Sequence, residues 1–369
     1  MSGTDAPRQV ISRVLMTADV VGGVWTYTLE LARGLATEGV ATTIATMGPG
    51  PSADEVEAAA AIPGVEVVAG NYRLEWMESP WADLAAAGRW LLDIERRVQP
   101  DVVHVNGYAH AALPWHAPVV AVGHSCLVSW GAATGSALDP KQLDPYMHAA
   151  RRGLHAADWV VTPTAAMLAS LQRHYGRLPR ASVVANGRDA ARFVPRAKEP
   201  FVFSGGRVWD AAKNVGTLCA IAPRLSWPVV AAGDGACEGV VHTGRLREGE
   251  LADHLGRASI FALPARYEPF GLLALEAALS GCALVVGDIP SLREVWGSAA
   301  DFVPPDDGDA LRNAIERLIA WPVRRLERAA AARARAMLYS PARMTAGYLD
   351  VYQRAVSARQ SVRTIPRAS

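Results

Sequence analysis

Short apolar runs alternate along the chain with longer amphipathic stretches, and this alternation predicts the fold. The short runs are continuously apolar and rich in β-branched residues, which is typical of parallel strands covered on both faces. The longer stretches repeat apolar positions at helical spacing. In the first half the predicted strands are Arg13–Ala18, Thr42–Met47, Val65–Gly70, Asp101–Asn106, Val119–His124, Trp159–Pro163 and Ser182–Asn186. The predicted helices between them include Thr26–Thr37, Trp81–Val98 and Ala165–His174.

The alternation stops between Phe193 and Pro200, where two prolines and mixed charges predict a linker, and then it restarts. The later predicted strands are Phe201–Gly205, Pro228–Gly233, Val240–Gly244, Ser259–Leu263, Ala283–Gly287 and Asp301–Val303. The predicted helices include Leu251–Arg257, Leu272–Ser280, Ala310–Ala320 and most of the segment from Pro322 onward. Strand and helix alternating in this way predict two doubly wound α/β domains in tandem.

Composition narrows the class of protein. The chain has 369 residues, half of them hydrophobic and a fifth charged, which excludes a disordered protein. A net charge of +1 argues against a dedicated nucleic-acid binder. No apolar run reaches the ~18 residues of a membrane span, and Met1 to Arg13 lacks a signal-peptide core, so we expect a cytoplasmic protein. The arginine-rich segment from Arg324 to Arg335 leaves peripheral membrane contact open.

The first candidate site is the loop that follows the first predicted strand. Ligands of open α/β sheets bind beyond the carboxyl ends of the strands, and two facing domains place the site in the cleft between them. Gly22 and Gly23 would let backbone amides approach an anion at a helix start. A merely tight turn is the alternative. The loop lacks the G-x-G-x-x-G fingerprint, so a nicotinamide oxidoreductase is not predicted.

The second candidate site follows the first strand of the second half. Arg207 and Lys213 bracket a glycine-containing loop and could converge on one diphosphate, the arginine as a planar fork and the lysine as a point charge. Two solvated cations, with Asp210 capping a helix, are the alternative.

The third candidate site opens the helix Leu272–Ser280. The amides of Phe270, Gly271 and Leu272 are expected to be unpaired donors at a helix start, which suits a phosphate. Glu268 precedes the helix, and Glu276 lies inside it. The helix macrodipole alone would favour both carboxylates, but Glu276 falls in an otherwise apolar stretch, where a carboxylate needs a partner.

Two acidic patterns are assigned local roles. Asp307-Gly308-Asp309 matches a metal-binding D-x-D, but it opens a predicted helix, so we expect acidic residues at a helix start and no metal site. Ser291 and Glu294 fit a capping box. Glu294 is also a candidate donor-site residue, because its loop leaves a central strand.

The third site also carries a family resemblance. Glu268 and Glu276, within E-P-F-G-L-x-x-L-E-A, resemble the signature of family 4 of the retaining glycosyltransferases, which have the GT-B fold of two facing Rossmann-like domains. Other matching pieces keep the same order along nearly the whole chain: Gly22-Gly23, Asp101 to His104, His124, Ala185-Asn186-Gly187-Arg188-Asp189, Arg207 with Lys213, and Ala232 to Gly235.

The resemblance implies domain bounds and residue roles. It implies an N-terminal acceptor-side domain over 1–192, a nucleotide-sugar domain over 193–340, and a C-terminal helix within 341–369 that returns to the first domain before a tail. The implied roles are donor diphosphate binding by Arg207, Lys213, Gly22, Gly23, Phe270, Gly271 and Leu272, ribose binding by Glu276, sugar contacts by Glu268 and His124 as the catalytic pair, and donor-site positions for Glu294 and Asn186.

The predicted function is transfer of a sugar from a nucleotide-diphosphate sugar to a hydroxyl acceptor, with retention and without a metal or other cofactor. The alternatives are another GT-B enzyme, an epimerase or a phosphorylase, and a catalytically silent nucleotide-binding protein. Ala265 stands where such enzymes often carry serine, and Leu127 to Leu154, where acceptors often dock, has no sharp signature. The nucleotide base, the sugar, the acceptor and the oligomeric state are therefore not predicted.

Overall fold

The first half of the chain forms a seven-stranded parallel sheet. The computed structural model describes residues 10–235 and 238–363, with side chains to residue 360; residues 1–9 of the polar N-terminus and 364–369 of the predicted tail lie outside them. The strand order is β3-β2-β1-β4-β5-β6-β7. The strands are β1 Arg13–Asp19, β2 Ala41–Met47, β3 Val65–Ala69, β4 Val102–Val105, β5 Val119–Val122, β6 Trp159–Thr162 and β7 Ala181–Val183.

The second half forms a six-stranded parallel sheet in the order β10-β9-β8-β11-β12-β13. Every predicted strand has a counterpart in one of the two sheets, so the predicted pair of doubly wound domains is confirmed. The bounds set at 192 and 340 stay predictions. The strands are β8 Glu199–Gly205, β9 Val229–Ala232, β10 Val241–Gly244, β11 Ala258–Leu263, β12 Ala283–Gly287 and β13 Asp301–Val303.

Helices cover both faces of each sheet. In the first domain they are α1 Gly23–Thr37, α2 Ala53–Ala60, α3 Trp81–Val98, α4 Leu127–Thr134, α5 Pro140–Ala156 and α6 Ala165–Tyr175. The later helices are α7 Val215–Ile221, α8 Glu248–Arg257, α9 Leu272–Leu279, α10 Pro290–Trp296, α11 Gly308–Ala320, α12 Pro322–Ala336 and α13 Pro341–Arg363. Among the described residues, no helix is long and apolar enough to cross a membrane.

The last helix, α13, returns to the first domain, as expected. Its residues Tyr348 and Tyr352 are buried in one cluster with Tyr27 of α1 and with residues of β4, β5 and β6. The two chain crossings between the domains also touch each other, since the Arg188 amide donates to the Tyr339 carbonyl at 3.0 Å. The first domain therefore obtains part of its core from the end of the chain.

Close packing of α1 against α13 depends on one glycine. A Cβ at Gly34 would lie 1.9 Å from Thr345 Oγ1 and 3.1 Å from its Cβ. Thr345 is buried, and its Cβ and Cγ2, at 3.1 and 3.3 Å, would still be tight against the methyl if the hydroxyl turned away. The contact therefore leaves no room for a methyl group.

Gly34→Ala is expected to lower the free energy of unfolding by about 1–3 kcal/mol, because the added methyl overpacks the contact between α1 and α13. Gly216→Ala is the matched control, since Gly216 lies exposed in α7 and a Cβ there would have nothing within 4 Å. That control is expected to be neutral or to stabilise by up to about 1 kcal/mol, because alanine favours helix. Calorimetric melting of both variants decides it, and a Gly34→Ala variant as stable as Gly216→Ala would contradict the packing argument.

Candidate active site

One face of α1 lines the cleft between the domains. Gly23, Tyr27, Glu30 and Gly34 follow each other at spacings of three or four residues, so they share that face. Gly23 contacts the second domain, and Tyr27 contacts the imidazoles of the first sheet. Glu30 contacts the buried guanidinium of Arg188, and Gly34 contacts α13. The candidate site residues are arranged around this face.

The two predicted phosphate loops face each other across the cleft. Gly22 has φ of 136°, a backbone conformation that favours glycine. A Cβ there would lie 3.8 Å from Arg207 Nη1, and a Cβ at Gly23 would lie 3.3 Å from Leu272 Cδ1. Arg207 Nη1 also donates to the Val21 carbonyl at 3.2 Å. The start of α1 and the loop after β8 are thus in direct contact.

Arg207 is held by a chain of polar contacts. Its Nη2 donates to Asp210 Oδ2 at 2.7 Å, and Trp130 Nε1 of α4 donates to Asp210 Oδ1 at 3.0 Å. Burial opposes ionisation of Asp210, but the hydrogen bonds from Trp130 and Ala212 and the charge of Arg207 together lower its pKa. Asp210 therefore stays ionised. Since Trp130 of the first domain holds Asp210 of the second, both domains help to orient the guanidinium of Arg207.

Lys213, in the loop after β8, pairs with Glu268, in the loop after β11. Lys213 Nζ donates to Glu268 Oε2, and both side chains are mostly buried. The lysine stem lies over Gly206, whose Cβ would meet it at 3.7–3.8 Å. Nearby, the amides of Phe270, Gly271 and Leu272 make no hydrogen bond within the described part of the chain. A Cβ at Gly271 would lie 3.4 Å from Glu268 Cγ, so the pair of Lys213 and Glu268 adjoins this helix start.

His124 lies in the loop after β5, on the opposite side of the cleft. Its Nε2 lies 2.8 Å from Asn106 Oδ1, and its ring packs edge-on against Tyr27 with ring centroids 4.4 Å apart. Burial lowers the pKa of His124 to about 3. The pKa of His104 is also lowered to about 3, by burial and by the neighbouring imidazole of His124. Both imidazoles are therefore neutral at ordinary pH.

Arg188 lies fully buried between the domains and meets three carboxylates. Its Nη1 donates to Glu30 Oε2 at 2.6 Å and its Nη2 to Glu248 Oε2 at 2.9 Å. Its Nε lies 2.8 Å from Glu276 Oε1. Glu276 thus has the partner that its apolar surroundings require.

The carboxylates around Arg188 titrate differently. Burial raises the pKa of Glu276 to about 7 despite the charge of Arg188, and burial also raises the pKa of Glu30. For Glu248, burial is outweighed by its hydrogen bond with Arg188 and by the charges of Arg188 and Arg192, and the pKa is lowered. Glu276 can therefore change charge near neutral pH.

Glu294 and Asn186 are the remaining donor-site candidates. The Glu294 carboxylate accepts from the amides of Ala165 and Ala166 at 2.7 and 2.9 Å, so it caps α6 of the other domain. The predicted capping box with Ser291 is wrong, because the Ser291 hydroxyl donates to the Glu268 carbonyl at 2.6 Å. Asn186 is buried, and its Oδ1 has no partner among the described residues.

The predicted metal-like motif is a helix cap. Asp307 Oδ1 accepts from the Ala310 amide at 2.8 Å at the start of α11. Across residues 10–235 and 238–363, no group of three or more histidine, cysteine or acidic side chains is placed to hold a metal ion.

Sequence reasoning assigns no role to three participants: Arg188, which it names only within a matching motif, Glu30 and Asn106. Glu30 does carry a signal, because it sits between Leu29 and Leu31 on the buried face of α1, and a carboxylate there needs a partner just as Glu276 does. Arg188 and Asn106 give no such signal, since their partners lie far away in the sequence.

Two family models match the chain in tandem. Glycosyltransferase Family 4 matches residues 21–192, and Glycosyl transferases group 1 matches residues 199–320. Glycogen synthase of Mycobacterium tuberculosis (strain CDC 1551 / Oshkosh) is 29% identical over 365 residues, covering 86% of this chain and 87% of that protein.

Solved structures of similar fold cover almost the whole chain. Sucrose-phosphate synthase from Thermosynechococcus elongatus superposes with a TM-score of 0.76 at 19% identity, covering 97% of this chain and 100% of that chain. Anabaena HepE in complex with UDP and glucose superposes with a TM-score of 0.73 at 15% identity, covering 92% and 98%. Both structures show the fold that the motifs implied.

Glu276 is expected to make stability depend on pH. Its pKa is about 7 in the folded chain against an ordinary value of 4.5, so between these values the folded chain binds more protons than the unfolded chain. This contribution to the free energy of unfolding is fully present below pH 4.5 and is lost as the pH rises through 7. Glu276→Gln removes the dependence, so its stability relative to the parent should rise from pH 5 to pH 8 by on the order of 3 kcal/mol.

Urea denaturation at both pH values measures this difference. Glu57→Gln, an exposed position on α2, is the matched control and should hold a constant difference from the parent. A constant difference for Glu276→Gln as well would show that Glu276 is ionised throughout this pH range.

Proposed function

The chain belongs to the group 1 glycosyltransferases, as its motifs implied, and from that premise we propose that it moves a sugar from a nucleotide-diphosphate sugar to a hydroxyl acceptor. We further propose retention of anomeric configuration and independence of metal ions. The matches do not favour an epimerase, a phosphorylase or a silent binding protein. The cytoplasmic location expected from the sequence is kept as part of the proposal.

The observation that carries the proposal is the cationic loop after β8. Arg207 and Lys213 lie on one loop, with Arg207 touching the backbone of the loop before α1 and Lys213 touching Glu268. A diphosphate placed between these cations and the unpaired amides at the start of α9 would meet donors from three directions. Such charge-assisted hydrogen bonds are about twice as strong as neutral ones.

Binding of the diphosphate would rearrange the pair of Lys213 and Glu268. The lysine ammonium would turn to the diphosphate, because the diphosphate carries more negative charge than the Glu268 carboxylate. The Glu268 carboxylate would then face the sugar, where positive charge develops as the bond to phosphate lengthens. A carboxylate held in place before this charge appears stabilises the transition state more than the ground state.

Retention is proposed because the departing diphosphate and the incoming hydroxyl can share one face of the sugar. Arg207, Lys213 and the helix-start amides would take up the charge of the leaving diphosphate, which is the role a metal ion plays in other enzymes. The diphosphate itself can then accept the proton of the attacking hydroxyl. Glu276, which contacts α1 through Arg188, is proposed to accept the ribose hydroxyls.

The test is incubation with UDP-, GDP-, ADP- and TDP-sugars in excess EDTA, reading out release of nucleoside diphosphate. UDP-glucose is tried first, because HepE has been solved with UDP-glucose. NMR of the product then compares its anomeric configuration with that of the donor. Release of diphosphate with retention in EDTA supports the proposal, whereas inversion or a requirement for Mg²⁺ or Mn²⁺ contradicts the corresponding part.

Arg207→Ala and Lys213→Ala are each expected to weaken binding of the nucleoside diphosphate by about 1.5–3 kcal/mol, the scale of a hydrogen bond to a charged group. Isothermal titration calorimetry measures the affinity. Arg177→Ala and Lys141→Ala remove exposed cations of the first domain and serve as matched controls with unchanged affinity. Unchanged affinity in both test variants would overturn the placement of the diphosphate.

Glu268 and Glu276 are expected to affect different kinetic constants. Glu268→Gln should lower kcat by about 10²–10³-fold, because it removes a charge needed only in the transition state. Glu276→Ala should chiefly raise the donor KM, because ribose hydroxyls do not change during the reaction. Steady-state kinetics of the two variants distinguishes these roles. If Glu268→Gln keeps full kcat and loses only donor affinity, Glu268 is a sugar-hydroxyl ligand instead.

A further inference from the structure

The orientation of the Asn106 amide is fixed by its donors. Its Nδ2 donates to the Thr17 carbonyl at 2.7 Å and to Thr28 Oγ1 at 3.3 Å. Its backbone amide donates to Thr17 Oγ1 at 2.9 Å, which holds the residue in place. Exchanging the amide oxygen and nitrogen would bring two oxygens together at 2.7 Å. The side-chain oxygen therefore points away from Thr17.

That oxygen meets two imidazoles. Asn106 Oδ1 lies 2.8 Å from His124 Nε2 and 3.0 Å from His104 Nε2. An amide oxygen is only an acceptor, and it has two lone pairs. Each of these two nitrogens must therefore carry a hydrogen.

The second nitrogen of His104 completes the network. His104 Nδ1 lies 2.8 Å from the hydroxyl of Tyr352 on α13. With the ring proton on Nε2, Nδ1 accepts the hydrogen of this hydroxyl. His104 is thus a neutral imidazole with a partner at each ring nitrogen. Together His104 and His124 occupy both lone pairs of Asn106 Oδ1.

His124 is left with one unused nitrogen. Its Nδ1 has no hydrogen-bond partner among the described residues, and the residue is half-buried in the loop after β5. We propose that Asn106 is a positioning residue that holds His124 with its proton on Nε2, so that only the Nδ1 lone pair faces the substrate. Contact with substrate rests on the proposed function, whereas the position of the proton does not.

The fixed proton limits what His124 can bind. A lone pair at Nδ1 accepts a hydrogen from a hydroxyl group, and it offers no hydrogen to a phosphate oxygen. His124 would therefore select the hydroxyl-bearing sugar and leave the diphosphate to Arg207 and Lys213. This arrangement separates the sugar end of the site from its phosphate end.

The surroundings keep the network neutral. The titratable side chains around the two imidazoles are Tyr27 of α1 and Tyr348 and Tyr352 of α13, all three buried. Burial raises the pKa of each of these phenols, so they too are neutral at ordinary pH. The proton arrangement should therefore stay constant over a wide pH range.

The first test is NMR of the ligand-free protein with ¹⁵N-labelled histidine, with the His124 signals assigned through His124→Gln. Long-range ¹H–¹⁵N correlations distinguish the two neutral tautomers and the charged ring. We expect His124 to be neutral with the proton on Nε2 from about pH 5.5 to 8, because its surroundings disfavour the charged ring. A proton on Nδ1, or a charged ring, overturns the proposal without any variant of Asn106.

Two variants of Asn106 test its part in this arrangement. Asn106→Ala removes the acceptor and should give a mixture of tautomers at His124. Asn106→Asp places a carboxylate beside both imidazoles, which raises a pKa by about 1–3, so a new histidine titration should appear between about pH 4 and 6. Asn313→Asp, an exposed position on α11, adds the same charge as a control and should change neither signal. An unchanged His124 spectrum in both Asn106 variants overturns the proposal.

Kinetics with UDP-glucose, or with the donor that releases diphosphate in the panel, links the arrangement to transfer. Asn106→Ala should lower kcat by about 10–100-fold, the scale of a small misplacement of a catalytic group. The double variant with His124→Gln should be no slower than His124→Gln alone, because Asn106 acts through His124. Multiplied losses would overturn the positioning role. If no donor is turned over, the proposed function fails while the NMR result still stands.

Discussion

The buried guanidinium of Arg188 is the contact on which the relation of the two domains depends. It follows the last strand of the first sheet and meets Glu30 from the first domain and Glu248 and Glu276 from the second. Two of these carboxylates, Glu30 and Glu276, are buried, whereas the exposed Glu248 also pairs with Arg192. Burial raises the pKa of both buried carboxylates, that of Glu276 to about 7. Glu276, the proposed ribose ligand, is therefore paired with a residue of the connection between the domains. A change in that connection would alter the surroundings of its carboxylate. Removing Arg188 would leave uncompensated buried charges, which is among the costliest changes a folded chain can suffer.

The first helix carries this constraint into the cleft. Because Gly23, Tyr27, Glu30 and Gly34 lie on one face, a shift of α1 along its axis would disturb the contacts with Leu272, the imidazoles, Arg188 and α13 together. The sugar end, the phosphate end and the joint between the domains are thus set by one rigid element. Sites built on such elements hold their geometry more closely than sites built on loops alone.

The sequence predicts the sheets well and the pairings across the cleft poorly. Buried parallel strands appear as continuous apolar runs, so each strand can be located to within a few residues. Short helices such as α2 and α4 escape detection, because two turns give too few apolar repeats. Loop motifs place Arg207, Lys213 and Glu268 near one another, since all three follow strands of one sheet. The partners of Glu294, Arg188 and Asn106 come from distant parts of the chain, and no local pattern encodes them.

The return of α13 has a consequence for how the protein is made. Tyr352 bonds His104 across 248 positions of sequence, and its neighbours fill the core beneath β4, β5 and β6. During synthesis the first sheet therefore leaves the ribosome with an uncovered apolar face, and it keeps that face until the second domain has been translated as well. Domains that are complete in sequence can fold as they emerge, but this one must wait for the final helix. A chain that stopped after α12 would present the same face to chaperones and to other copies of itself, although all of its parallel strands were already present.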